Sequence, residues 1–188
     1  MEEDGAFRTF VGHPLETERY VFPTLDPERL RSLANQITRP LVFLKVCAPA
    51  AEVLPLLPGR WRHTGGRWMM AAAMDGHLPD VHLPPGYTLS VDEEPWGKRA
   101  LVLDCHGQAA ARGGLIIEQG KAVFDRIETE EEHRRRGLAT AVMARLTALA
   151  VEQGASGGIL VATDAGRALY TRLGWRTLSE YTSAVIPA

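Results

Sequence analysis

Arg134-Arg135-Arg136-Gly137-Leu138-Ala139-Thr140 stands where a strand pattern, Lys121 to Thr129, gives way to an amphipathic helical one. The helix that begins there poses an electrostatic problem. A first helical turn leaves backbone N–H groups unpaired and carries the positive end of the macrodipole, so each cation placed there loses about 0.3–1 kcal/mol. Yet His133 and three arginines crowd that end. A phosphate group resolves the conflict, because it accepts from the free N–H groups and neutralises dipole and guanidinium charge together. Gly137 would let the backbone approach it closely. The alternative reading is a solvated basic turn offset by Glu130, Glu131 and Glu132.

The flanking pattern places this stretch in a mixed fold. The helix, Arg136 to Gln153, carries Leu138, Val142, Leu146, Leu149 and Ala150 on one stripe and stops at Gly154, so its apolar face must pack on a sheet. Before it, Tyr87 to Val91, Arg99 to Cys105, Ala110 to Glu118 and Lys121 to Thr129 read as strands, the last two joined by a tight turn at Gln119-Gly120. After it come a buried strand, Gly158 to Ala162, a helix, Gly166 to Leu173, ended by Gly174, and one or two closing strands in Trp175 to Ile186. The chain changes character near Pro84-Pro85. Upstream, Asp26 to Ile37 and Ala50 to Leu57 read as helices, Leu41 to Cys47 and Trp68 to Met74 as strands, and the first dozen residues as a loose arm. The expected division is 1–84, a divergent N-terminal α/β half, and 85–188, the core.

Composition excludes several classes. With 188 residues and 45% hydrophobic content the chain can bury a full core. A formal net charge of −2 argues against a nucleic-acid binder, which would show an extended basic face with interleaved aromatics. The N-terminus is acidic, and no apolar run approaches the roughly 18 residues that span a bilayer, so no membrane partner and a cytoplasmic location are expected. Cys47 and Cys105 sit in apolar strand-like runs and read as reduced core residues. His77, Asp80 and His82 lie in a Leu/Pro-rich loop without ligand geometry, so no metal is expected. Cys105 and His106 are neighbours on a predicted strand, point to opposite faces, and make a poor nucleophile and base. Asp92, Glu93 and Glu94 form an acidic turn that would attract a cationic amine or simply be solvated.

Arg134-x-x-Gly137-x-Ala139 resembles the Arg/Gln-x-x-Gly-x-Gly/Ala signature of the GNAT superfamily of N-acetyltransferases. Downstream, Thr-Asp-Ala-Gly-Arg-Ala-Leu-Tyr-Thr-Arg-Leu-Gly-Trp, residues 163–175, is similar to that family's Leu-Tyr-x-x-Leu-Gly-Phe ending. The two motifs, in this order with the intervening strand and helix, cover about residues 85–188. The resemblance implies an α+β fold: a mixed, mostly antiparallel sheet flanked by helices, splayed open between the strand ending at Thr129 and the one beginning near Gly158. The family usually places two helices between its first two strands, whereas only Asp92 to Lys98 separate the corresponding candidates.

The chemistry implied is acetyl transfer from acetyl-CoA to a primary amine of a small molecule or protein by direct attack. The alternative is a catalytically degenerate member that binds CoA as a sensor or scaffold. By this resemblance the pyrophosphate of CoA lies on Arg134, Arg135, Arg136, Gly137, Leu138, Ala139 and Thr140, and pantetheine pairs with the strand edge at Ile127, Glu128 and Thr129. An N–H near Thr129 would polarise the thioester carbonyl. Tyr170 matches the tyrosine that protonates the departing thiolate, unless its ring is simply core. Thr163 stands where Asn is frequent and Gly166 where Ala is usual. The family's strand glutamate falls on Val123, which leaves Asp125, two residues on and on the same face, as base or as a salt-bridged carboxylate. Glu128 is expected on the opposite face. The partner is an amine-bearing acceptor, and a homodimer stays open.

Overall fold

The computed structural model describes residues 2–3, 6–75 and 82–188, and these divide into two compact units. His77 and Asp80, considered above as metal ligands, lie outside the described residues. The first unit contains residues 1–69, 161–167 and 177–188; the second contains 70–160 and 168–176. The division is discontinuous, and Pro84-Pro85 falls within the second unit.

In the first unit, β1 (Glu2–Glu3), β2 (Ala6–His13) and β3 (Glu16–Phe22) run antiparallel to one another. The first dozen residues are therefore not a loose arm but mostly strand. They pair with β3 as a hairpin, across which Arg8 donates to the buried Glu18 at 3.0 Å and lays its guanidinium over the Phe10 and Tyr20 rings. Helix α1 (Pro27–Gln36) comes next, with Asp26 accepting from the Arg29 N–H at 3.1 Å and Pro27 in the first turn. Strand β4 (Val42–Val46) pairs in parallel with β3, and α2 (Ala50–Val53) continues into a 3-10 turn at Leu54–Leu56. The long β5 (Arg62–Ala73) leaves this unit at Met69. Phe22, Leu30, Val42, Leu44, Val46, Val53 and Trp61 form the core of this unit.

The second unit holds the meander anticipated around the arginine run. Strands β6 (Thr88–Glu94), β7 (Gly97–Leu103), β8 (Ala109–Glu118) and β9 (Lys121–Thr129) pair antiparallel in sequence. Only Pro95 and Trp96 connect the first two, which leaves no room for helices between them. Asp92, Glu93 and Glu94 lie on β6 and pair with Arg99 and Lys98. Because β7 ends at Leu103, Cys105 sits in an exposed turn rather than in the core; the Asp104 carboxylate organises that turn by accepting from the His106 and Gln108 N–H groups. Helix α3 (Leu138–Glu152) buries Leu138, Val142, Leu146, Leu149 and Ala150 against β8 and β9. Gly113 permits this approach, since a Cβ there would stand 2.5 Å from Ile127 Cδ1 and 2.7 Å from Val142 Cγ1. Strand β10 (Gly157–Ala162) pairs in parallel with β9.

Helix α4 (Asp164–Arg172) begins in the first unit, where Thr163 Oγ1 accepts from the Gly166 N–H at 3.1 Å, and ends in the second. Gly174, at φ 84°, closes it, with the Trp175 N–H donating to the Tyr170 carbonyl at 3.0 Å. The single closing strand, β11 (Arg176–Val185), pairs antiparallel with β4. The pairing is thus mixed and mostly antiparallel, as the α+β reading requires.

Candidate functional site

The β8–β9 hairpin turns through Gln119 and Gly120, both at positive φ, and its register is regular to Gly114↔Asp125. There the ladder shifts: Arg112 pairs with Glu128, so Arg126 and Ile127 both stand opposite Gly113, with Arg126 at φ 52°. This β-bulge reverses the side-chain parity of the rest of β9. Arg112 and Gly114, two residues apart on β8, face Glu128 and Asp125 respectively, so both carboxylates lie on the same side of β9. The expected opposition of Glu128 and Asp125 is overturned by that one inserted residue. Both are exposed. Glu128 accepts from Arg112 Nε at 2.9 Å, and Asp125 stands 3.7 Å from Arg126 Nε. Ile127 turns the other way, toward α3.

The ladder between β9 and β10 runs only from Lys121↔Gly157 to Phe124↔Leu160. The remaining residues of β9, Asp125 to Thr129, have no β10 partner, and among the described residues no strand pairs with their edge on that side. The Glu130 N–H donates to the Ala110 carbonyl, which turns the N–H and C=O of Thr129 away from β8 toward that edge. Its carbonyl accepts from Arg134 Nε at 3.3 Å, while its Oγ1 is sealed from solvent with no hydrogen-bond partner among the described residues. A buried hydroxyl without a partner costs on the order of 1–3 kcal/mol.

The strand then passes through a 3-10 turn, Glu131–His133, into the arginine run. Arg135 at φ 64° and Gly137 at φ 80° turn the backbone just ahead of α3. No side chain caps the helix, and the Ala141 N–H, donating to the Gly137 carbonyl, is the first one engaged. Among the described residues, the N–H groups from Arg135 to Thr140 meet no acceptor. A nest of successive free N–H groups at a helix N-terminus is an anion site by construction. A Cβ at Gly137 would meet nothing within 4 Å, so the space beside it is open.

Tyr170 is buried on α4, its ring 6.3 Å from that of Trp175, which packs edge-on against Phe124. Its ring therefore belongs to the core. No hydrogen bond among the described residues engages its hydroxyl, and burial pushes its pKa up to about 12. It remains a proton donor at any physiological pH.

Every residue singled out for this site, from Asp125 to Thr140 together with Tyr170, lies in the second unit. Sequence reasoning missed Tyr87 and Asp104, which the fold brings to His133. No local signal marks them, because Tyr87 lies 46 residues from its partner. No helix among the described residues is long and apolar enough to cross a membrane.

Residues 105–183 match the model of the FR47-like protein family. No curated protein matches the chain. Among solved structures, a GCN5-related N-acetyltransferase from Kribbella flavida is 21% identical with a TM-score of 0.66, covering 91% of this chain and 82% of its own. One from Sphaerobacter thermophilus is 14% identical with a TM-score of 0.69, covering 98% and 78%. A tandem GNAT protein from the clavulanic acid biosynthesis pathway is 13% identical with a TM-score of 0.58, covering 86% and 69%. With the bulged, half-freed β9 running into an uncapped α3, and with the FR47-like match laid over both, the chain has the fold of the GCN5-related N-acetyltransferases.

Proposed function

We propose that the chain is an N-acetyltransferase that moves an acetyl group from acetyl-CoA to the primary amine of an acceptor. The observation that carries this reading is the continuity of one free strand edge, Asp125 to Thr129, with one unpaired N–H nest, Arg135 to Thr140. An extended amide chain ending in a pyrophosphate fits both at once. The orphaned Thr129 hydroxyl and the open space at Gly137 are consistent with a polar ligand there. Acetyl-CoA, when bound, supplies the activated acetyl thioester.

The chain's own groups divide the remaining work. The nest and the guanidinium groups of Arg134, Arg135 and Arg136 bind the nucleotide end, with Leu138, Ala139 and Thr140 contributing backbone N–H groups. Ile127, Glu128 and Thr129 line the edge that takes the amide arm as an added strand, with Thr129 holding it through main-chain atoms and its outward N–H favouring a carbonyl that gains negative charge. Tyr170 holds a proton for the thiolate. Asp125 and Glu128 share the exposed face of β9; Asp125 is proposed as the group that takes the amine's proton, directly or through water.

A second reading, a CoA-binding sensor or scaffold, draws on one observation: among the described residues, nothing hydrogen-bonds Tyr170 to a base. One experiment separates the two. Calorimetry with acetyl-CoA tests binding, and thiol release against a panel of amines, polyamines, amino acids, aminoglycosides and peptides tests transfer. Binding with release on an acceptor supports the enzyme; binding without release across the panel supports the sensor; no binding overturns both.

A further inference from the structure

The three arginines of the nest are held differently. Arg134 is tied to the Thr129 carbonyl, and Arg135 has no side-chain partner among the described residues. Arg136 is fixed at two points: Nη1 donates to Tyr87 Oη at 2.8 Å and Nη2 to the Glu132 carbonyl at 3.0 Å. Both acceptors are uncharged, so the cation is oriented without being neutralised. Its remaining N–H donors stay available to an anion.

The acceptor tyrosine is itself oriented. Tyr87 Oη lies 2.9 Å from His133 Nδ1, with the two rings edge-on at 5.7 Å. On the far side of the imidazole, Nε2 stands 3.9 Å from the Asp104 carboxylate and 3.9 Å from that of the exposed Glu132. The His133 and Asp104 side chains are only 12% and 14% exposed. The backbone N–H groups of Gln108 and His106 hold the Asp104 carboxyl below the usual carboxylate range, so it stays anionic. Protons assigned from this network run one way. The carboxylate favours hydrogen on Nε2, Nδ1 then accepts from the Tyr87 hydroxyl, and the phenol oxygen presents its lone pairs to Arg136.

We propose that Tyr87, oriented by His133 and Asp104, is a positioning residue for acetyl-CoA: it presets Arg136 beside the Arg135–Thr140 nest for the pyrophosphate. The inference rests on the acetyl-CoA reading above. Its physical basis is pre-organisation, since an arginine already immobilised loses less side-chain freedom when the anion arrives. Tyr87 would touch neither the thioester nor the acceptor.

The test is calorimetry and steady-state kinetics on the full chain with acetyl-CoA and with acetyl-pantetheine, which lacks the nucleotide. Wild type is measured first. If it binds no acetyl-CoA, the proposed function falls and this inference with it. If it binds, Tyr87→Phe, which keeps the ring, should weaken acetyl-CoA about ten-fold and raise its KM in step. Acetyl-pantetheine affinity and maximal turnover should hold. Arg136→Gln should weaken acetyl-CoA at least as much, and the double variant should bind no more weakly than Arg136→Gln alone. Wild-type affinity in Tyr87→Phe, or full additivity in the double variant, overturns the positioning role while leaving the proposed function standing. Should Tyr87→Phe not fold, His133→Gln should show the same loss confined to acetyl-CoA, and its absence overturns the proposal.

Discussion

Gly137 offers the sharpest test of the nest, because structural cost and ligand cost separate there. At φ 80° and ψ 2° the residue is in the left-handed region, where an ordinary side chain costs about 1–2 kcal/mol. A Cβ at this point meets nothing within 4 Å, so the first side-chain atom of Gly137→Val adds no clash to that cost. For a chain of this size each kcal/mol lowers Tm by about 2–4 °C, so the variant should melt about 2–8 °C below wild type and remain folded at 25 °C. Acetyl-CoA faces a different situation, because a branched Cβ would stand where the pyrophosphate must approach the backbone. Its affinity should fall more than about ten-fold, on the order of 1.4 kcal/mol or more. Gly137→Asn is the control for strain, since asparagine enters the left-handed region more readily while still adding a Cβ. Calorimetry with acetyl-CoA and acetyl-pantetheine, beside thermal melts, reads all of these quantities. A folded Gly137→Val protein that binds acetyl-CoA as wild type does would refute the nest. Equal weakening of both ligands would instead indicate general distortion of the loop.

Tyr170→Phe should lower turnover about ten-fold to a thousand-fold with acetyl-CoA affinity little changed; full turnover with chemistry shown to be rate-limiting removes Tyr170 as the acid. Since the lost hydroxyl has no partner among the described residues, the melting temperature should hold, and a large drop would favour a purely structural role. Gly113→Ala would place a Cβ 2.5 Å, 2.7 Å and 3.1 Å from Ile127, Val142 and Leu146 side-chain atoms, so it should cost about 1–3 kcal/mol in denaturant unfolding. An unchanged midpoint would show that α3 is not packed on β8 as described. The buried phenols make stability sensitive to alkali. Tyr170, raised from 10.0 to about 12, keeps its proton in the fold after the unfolded chain has lost it, so stability present below pH 10 is lost as pH rises from 10 to 12. Over that window the loss from this residue is on the order of 2–3 kcal/mol, and Tyr181, shifted the same way by burial, adds to it. Denaturant midpoints that stay flat from pH 10 to pH 12 would contradict this.

Local chemistry was legible without the fold. Asp26 and Pro27 mark the start of α1, Gln119-Gly120 marks a hairpin whose two central residues both take positive φ, and Gly154 and Gly174 mark helix ends. Each of these depends on residues a few positions apart, and the same holds for the helix stripe and the arginine-glycine nest, whose free N–H groups arise at the start of any uncapped helix. Alternation alone carries no record of an inserted residue, and so the bulge at Arg126 was hidden. It arises where α3 and the β8 register must both be satisfied around Gly113, and it is what moves Glu128 onto the face of Asp125. Long-range pairing decided the rest. β11 reached β4 from the opposite end of the chain, and Tyr87 met Arg136 across 49 residues. Such contacts depend on which surfaces the packed chain presents to one another, and neither hydrophobic period nor turn chemistry encodes the partner.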